Sequence, residues 1–174
     1  MHSSVIPAEE CYPVLTYRRV RGTVEAENKS EQGGKTMDYR RFGDTLLVRI
    51  DRGEEILEQV KTVALKENIQ LASVQALGAL GSFTVGVYKI DEKKYYANSF
   101  EGSFEIVSLT GTIDTMNGEF YTHLHLSAGN DRGEVFGGHL NRAEVSATCE
   151  MVIRLIDGRI DRQYDDGLNL FKFL

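Results

Sequence analysis

A single stretch of this chain carries apolar residues at helical spacing, and nearly everything after it alternates apolar with polar, so a sheet must make up most of the fold. Ile56, Leu57, Val60, Val63 and Ala64 form the helical stripe. They predict a helix from Gly53 to about Lys66, capped by Asp51, with Glu54 and Glu55 at its positive end and Asn68 to terminate it. Ahead of it Phe42 to Ile50 reads as a strand, and behind it Ile69 to Ala76 reads as another. Ser82 to Ile90, Tyr95 to Phe100, Glu105 to Ile113, Phe120 to Ser127, Val135 to Leu140 and Val145 to Ile156 follow as further strands. Short polar turns such as Asp91-Glu92-Lys93-Lys94 and Asn117-Gly118 separate them, and Gly78-Ala79-Leu80-Gly81 reads as a turn rather than a phosphate cradle. The expected class is therefore α+β, a mostly antiparallel β-sheet with one main helix. The tail residues Leu168, Leu170, Phe171 and Phe173 are apolar enough to dock on the core or on a partner.

With 174 residues, 41% of them hydrophobic and 26% charged, the chain can bury one core without covalent staples. Its composition changes near residue 35. Residues 1–36 are expected to form an N-terminal arm and polar linker, and residues 37–174 the domain proper. Neither a membrane-length apolar run nor the apolar stretch of a secretion signal stands out, so the expected setting is cytoplasmic, away from membranes. Cys11 and Cys149 are far apart and show no paired spacing, as a reducing compartment allows. Cys149 alternates with Val145, Ala147, Met151 and Ile153, which predicts a buried strand thiol. A net charge of -6 opposes broad contact with phosphate, so nucleic acid would need a local basic cluster. Arg18-Arg19-Val20-Arg21 and Arg40-Arg41 are the candidates.

Three of the four histidines lie close together in sequence, in Thr122-His123-Leu124-His125 and Gly137-Gly138-His139. Strand residues alternate between faces, so His123 and His125 project to one side, roughly 7 Å apart. Asp131-Arg132-Gly133 between the two segments reads as a three-residue hairpin loop with Gly133 in the left-handed conformation, which puts Asn130 across from Glu134. Continuing that register sets His139 opposite His125. Paired residues share a face, so the three rings can converge, unless Gly137 and Gly138 introduce a bulge. Three neutral imidazoles suit zinc first, with nickel, iron and copper as alternatives, and leave at least one coordination position open. The plainer reading makes these residues ordinary strand histidines bonded to their neighbours.

Several segments taken in order resemble a known family: Gly53-Glu54-Glu55, Ala76-Leu77-Gly78-Ala79-Leu80, Gly102-Ser103-Phe104-Glu105-Ile106-Val107, Leu109-Thr110-Gly111, His123-Leu124-His125 and Gly137-Gly138-His139-Leu140. Together they are similar to the plants-and-prokaryotes-conserved (PPC) domain, over about residues 37 to 174. The resemblance implies a homotrimer, an association segment at Gly102 to Val107, and metal ligation by His123, His125 and His139. It also implies DNA binding as a regulatory role, although the chain carries no Arg-Gly-Arg-Pro hook of the plant members and is acidic. As a plain core strand, Gly102 to Val107 would instead turn Phe104 and Ile106 inward. Two other roles fit an open metal position. One is a metal-dependent enzyme of hydrolase or lyase type, for which Glu119, Asp131 and Glu134 are the nearby acids. The other is a small-molecule sensor with Tyr121 or Arg142 beside the histidines.

Overall fold

The stripe at helical spacing becomes helix α1, Ile56–Lys66, which buries Ile56, Val60, Val63 and Ala64 against the sheet. It begins later than expected, because the chain still turns at Gly53, whose φ is +85° and whose N–H donates to the Val145 carbonyl at 2.8 Å. The cap is accordingly Glu55 and not Asp51. One Glu55 carboxylate oxygen accepts from the Glu58 N–H at 2.8 Å and the other from the Ala143 N–H at 2.9 Å, so the cap also ties the helix to the sheet. Asp51 is held by Arg49 at 2.9 Å instead. Asn68 does end the helix, at φ +51°, with the Ile69 N–H returning to the Ala64 carbonyl.

The computed structural model of the protein describes residues 36–165 and 168–173. The arm and linker expected before residue 37, with Cys11 and the Arg18-Arg19-Val20-Arg21 cluster, lie outside the described residues apart from Thr36. The strands are β1 Asp38–Phe42, β2 Thr45–Asp51, β3 Ala72–Lys89, β4 Lys94–Met116, β5 Glu119–Gly129, β6 Val135–Leu155, β7 Asp161–Asp165 and β8 Leu168–Lys172. The strand expected over Phe42 to Ile50 is in fact the turn and second arm of a hairpin. Gly43, at φ +62°, reverses the chain there and pairs Phe42 with Thr45.

Other expected strands merge. The strands expected over Ile69 to Ala76 and Ser82 to Ile90 fall, from Ala72 to Lys89, in one 18-residue strand, and Gly78-Ala79-Leu80-Gly81 lies inside it rather than forming a turn. Register shifts between Ala76 and Gly78 and between Leu80 and Ser82 show what the glycines do: they bulge and bend the strand. Gly78, at φ +145°, also meets β6 so closely that a Cβ there would sit 2.7 Å from the Cys149 Cα. These bends let the sheet close on itself. β3 pairs with β4 and β6, and β5 pairs with the same two strands.

The core fills the space between α1 and the inner faces of these strands, with Leu46, Ile50, Leu80, Phe83, Leu124, Leu126, Met151 and Ile153 fully buried. Phe83 stacks on Phe100 at 4.9 Å and meets Phe104 edge-on at 5.0 Å. Cys149 is buried in β6 as its alternation predicts, and burial pushes its thiol up to about 12, so it stays protonated and serves as packing. Among the described residues no helix is long and apolar enough to cross a membrane. Gly78→Ala should lower stability by about 2–3 kcal/mol, because the new Cβ meets unyielding β6 backbone. Thermal denaturation checks this, and an unchanged melting temperature would contradict the close β3–β6 approach.

Candidate metal centre

The turn between β5 and β6 fixes the site. The Asn130 N–H donates to the Glu134 carbonyl at 3.1 Å and the Gly133 N–H donates to the Asn130 carbonyl at 3.0 Å, with Gly133 at φ +75°. The Asn130 side-chain oxygen accepts from the N–H groups of Arg132 and Glu134, both at 3.0 Å, and locks the loop. From there the ladder runs without a bulge through Gly129–Val135 and Leu126–Gly138 to His125–His139, the pairing read from the sequence. Gly137 and Gly138 serve close approach instead. A Cβ on Gly138 would lie 2.7 Å from the Gly86 carbonyl oxygen on β3.

Leu124 and Leu126 are buried in the core, so the alternate residues His123 and His125 face the other way, together with His139. One ring nitrogen from each lies within 4.8 Å of the other two, and the Nε2 atoms of His123 and His125 are 3.2 Å apart. Two nitrogens bound at 2.0–2.1 Å to a tetrahedral zinc ion stand roughly 3.3 Å apart, so the His123–His125 pair is at the spacing such an ion needs, with a His139 nitrogen close by as the third donor. The same spacing lets one neutral ring donate a hydrogen bond to the other. His123 and His139 are half-buried, and burial pushes both below the ordinary imidazole value, followed by the other histidines and Arg162. Neutral rings are the form that ligates metal.

Behind the trio stands a buried ion pair that sequence reasoning missed. Arg162 on β7 donates through Nε to one Asp114 oxygen at 2.7 Å and through Nη2 to the other at 2.8 Å. Thr112 donates to the same carboxylate at 2.8 Å. The guanidinium also lies over the rings of Tyr121, at 4.8 Å, and Phe171, at 4.3 Å. Asp114 is fully buried on β4, so a cation must face it, but its partner lies 48 residues away.

The trio lies at the junction of two cavities. One, of about 570 Å³, is lined by Thr110, Thr112, His123, His125, Arg162 and Phe171. The other, of about 580 Å³, takes in all three histidines with Tyr88, Tyr95 and Tyr121, and Leu170 borders both. Tyr121 thus lies beside the histidines, whereas Arg142 pairs with Glu144 at 3.2 Å and lines a separate groove with Glu55 and Lys61. Glu119, Asp131 and Glu134 line neither cavity; Glu134 is spent in the hairpin turn on Asn130 and Arg132. Of the second basic pair, Arg41 is bound to Glu67 at 3.2 Å and Arg40 is exposed on β1. In Gly102 to Val107, Phe104 and Ile106 point into the core while Glu105 and Val107 face out.

A closed antiparallel ring with, among the described residues, one helix and a histidine trio on its outer side defines a recognisable class. The family profile of the Plants and Prokaryotes Conserved (PCC) domain matches residues 37–157, and the chain belongs to that family, also written PPC. Solved structures agree. A "putative DNA-binding protein" from Bacteroides thetaiotaomicron is 30% identical with a TM-score of 0.77, the match covering 80% of this chain and 99% of that one. A plant- and prokaryote-conserved protein from Pyrococcus horikoshii is 33% identical with a TM-score of 0.69, covering 83% and 99%. A metal-containing protein from Archaeoglobus fulgidus is 31% identical with a TM-score of 0.68, covering 80% and 99%. No curated protein matches the chain.

Because folding depresses the affinity of His123 and His139 for protons, the unfolded chain binds more protons between their folded values and about 6.5. Their contribution to stability is complete above that window and is lost as pH falls through it. The metal-free protein should therefore melt at a lower temperature at pH 5 than at pH 7.5. In His123→Gln/His139→Gln the difference should shrink; an equally steep profile in that variant would assign the effect to other groups.

Proposed function

We propose that this protein is a self-associating PPC-domain module that holds a divalent ion, zinc in the first place, on His123, His125 and His139. The observation that carries the reading is the meeting of three ring nitrogens within 4.8 Å, two of them at the spacing a tetrahedral ion requires. The metal-containing description of the Archaeoglobus relative supports it. A bound ion would offer an open coordination position to water, an anion or a carbonyl oxygen. Untagged protein should carry about one metal per chain by elemental analysis, and His123→Ala or His139→Ala should lose it with the fold retained. Stoichiometric metal in both variants would overturn the assignment.

Self-association rests on the outer face of the sheet, where Leu47, Leu77, Val107 and Val152 are 49, 60, 62 and 40% exposed. Leu47 pairs with Val152, and Leu77 and Val107 border one groove with Val152, so the four make a continuous apolar face next to the Gly102 to Val107 segment. The expected assembly is a trimer. Leu77→Asp should reduce the mass in solution to that of one chain; a single-chain mass already in the wild type would refute the assembly.

A DNA-binding, regulatory role is supported by the description of the Bacteroides relative. With a net charge of -6, contact with phosphate falls to local arginines such as Arg40, and binding should weaken steeply with salt. A metal-dependent enzyme of hydrolase or lyase type, or a small-molecule sensor, is the alternative use of the open position. No acidic residue other than those tied up in the hairpin or the Arg162 pair stands near the trio among the described residues, which favours ligand capture over carboxylate-assisted hydrolysis.

A further inference from the structure

We infer that the cavity beside the histidine trio binds a small organic carboxylate, its acid group at the ion's open position and its apolar body against the tyrosine and leucine walls. This rests on the metal reading above and adds the class of ligand. Charge is the first argument. Three neutral imidazoles leave the two positive charges of a divalent ion uncompensated, and Arg162 and Asp114 cancel each other across 2.7 Å. Among the described residues neither cavity has an acidic lining side chain. A half-buried site with that balance selects an anion.

The walls decide which anion. The larger cavity, about 580 Å³, has the size of a small-molecule site and is lined by Tyr88, Tyr95, Tyr121, Leu168 and Leu170. An inorganic anion would fill only the metal end and leave those walls to water. A phosphate group also calls for a fork of donors, but Arg162 has its Nε and Nη2 turned to Asp114, and no lysine lines either cavity among the described residues. A carboxylate needs one open metal position, and an aliphatic or aromatic body then buries its surface on the rings.

The leucine wall belongs to β8, which reaches the site through β7. β7 joins β4 by only two parallel pairs, Thr115–Asp161 and Met116–Arg162, supplemented by the Arg162–Asp114 bridge and by Thr115 donating to Asp161 at 2.8 Å. The ion pair therefore positions the wall. It does not itself hold the ligand.

The test uses the full chain loaded with cobalt, whose visible spectrum reports the ligands around the ion, and titrates it with benzoate, benzamide and inorganic phosphate. Benzoate should change the spectrum saturably and raise the melting temperature, and its neutral isostere benzamide should bind at least about tenfold more weakly. Leu170→Asp, which sets a negative charge in the wall, should weaken benzoate at least about tenfold with the cobalt content unchanged. Tyr88→Ala on β3 should weaken it also, so the outcome does not hang on the folding of one variant. If cobalt binds and benzoate leaves the spectrum unmoved, or benzamide binds equally well, the carboxylate site is refuted while the metal reading stands. Phosphate binding more tightly than benzoate refutes the organic ligand. Failure of cobalt itself to bind refutes the metal reading beneath it.

Discussion

The β5–β6 register governs what this protein can do. Because side chains alternate with a period of two, a slip of one residue would carry His139 to the opposite face and break up the trio. The guard against that slip is local: Asn130 hydrogen-bonds three residues of its own loop, Arg132, Gly133 and Glu134, and Gly133 takes the left-handed backbone that a three-residue turn needs. Leu124 and Leu126 guard it from the other side, since a shifted strand would expose both. Turn chemistry and burial agree on one alignment.

Close backbone contact does the rest. Gly111 faces Leu124 across the β4–β5 ladder, and a Cβ there would collide with the His123 carbonyl. Gly138 plays the same part between β6 and β3, where its Cβ would meet the Gly86 backbone. Small residues thus flank the histidines and draw four strands into a ring, in which Thr112 faces His123 and Asp114 faces Tyr121. Asp114 fully buried without a cation would cost about 3–5 kcal/mol, so docking of β7 through Arg162 stabilises the strand that carries the site's leucine wall. Packing and the histidine cavity are therefore linked through one ion pair.

Much of this was legible in the sequence wherever the deciding physics is local. The helical stripe gave α1, and a single turn gave the facing pair His125 and His139. Legibility failed where a signal has two structural answers. Glycines in Gly78 to Gly81 serve a bulge as readily as a turn, and alternation continues through the two-residue reversal at Gly43. The helix start was misplaced because a cap is chosen by tertiary contact: Glu55 wins over Asp51 by also holding the Ala143 N–H. The Arg162–Asp114 pair joins segments that only the closed ring brings together. No local pattern could match them.

The central claim is that His123, His125 and His139 act as one donor set. X-ray absorption at the zinc edge of the metal-loaded protein tests it most directly, since scattering reports both the kind of ligand atom and its distance. The account predicts three imidazole nitrogens at about 2.0–2.1 Å together with one further oxygen or nitrogen ligand. A shell containing sulfur at about 2.3 Å, or a shell without imidazole scattering, would contradict it.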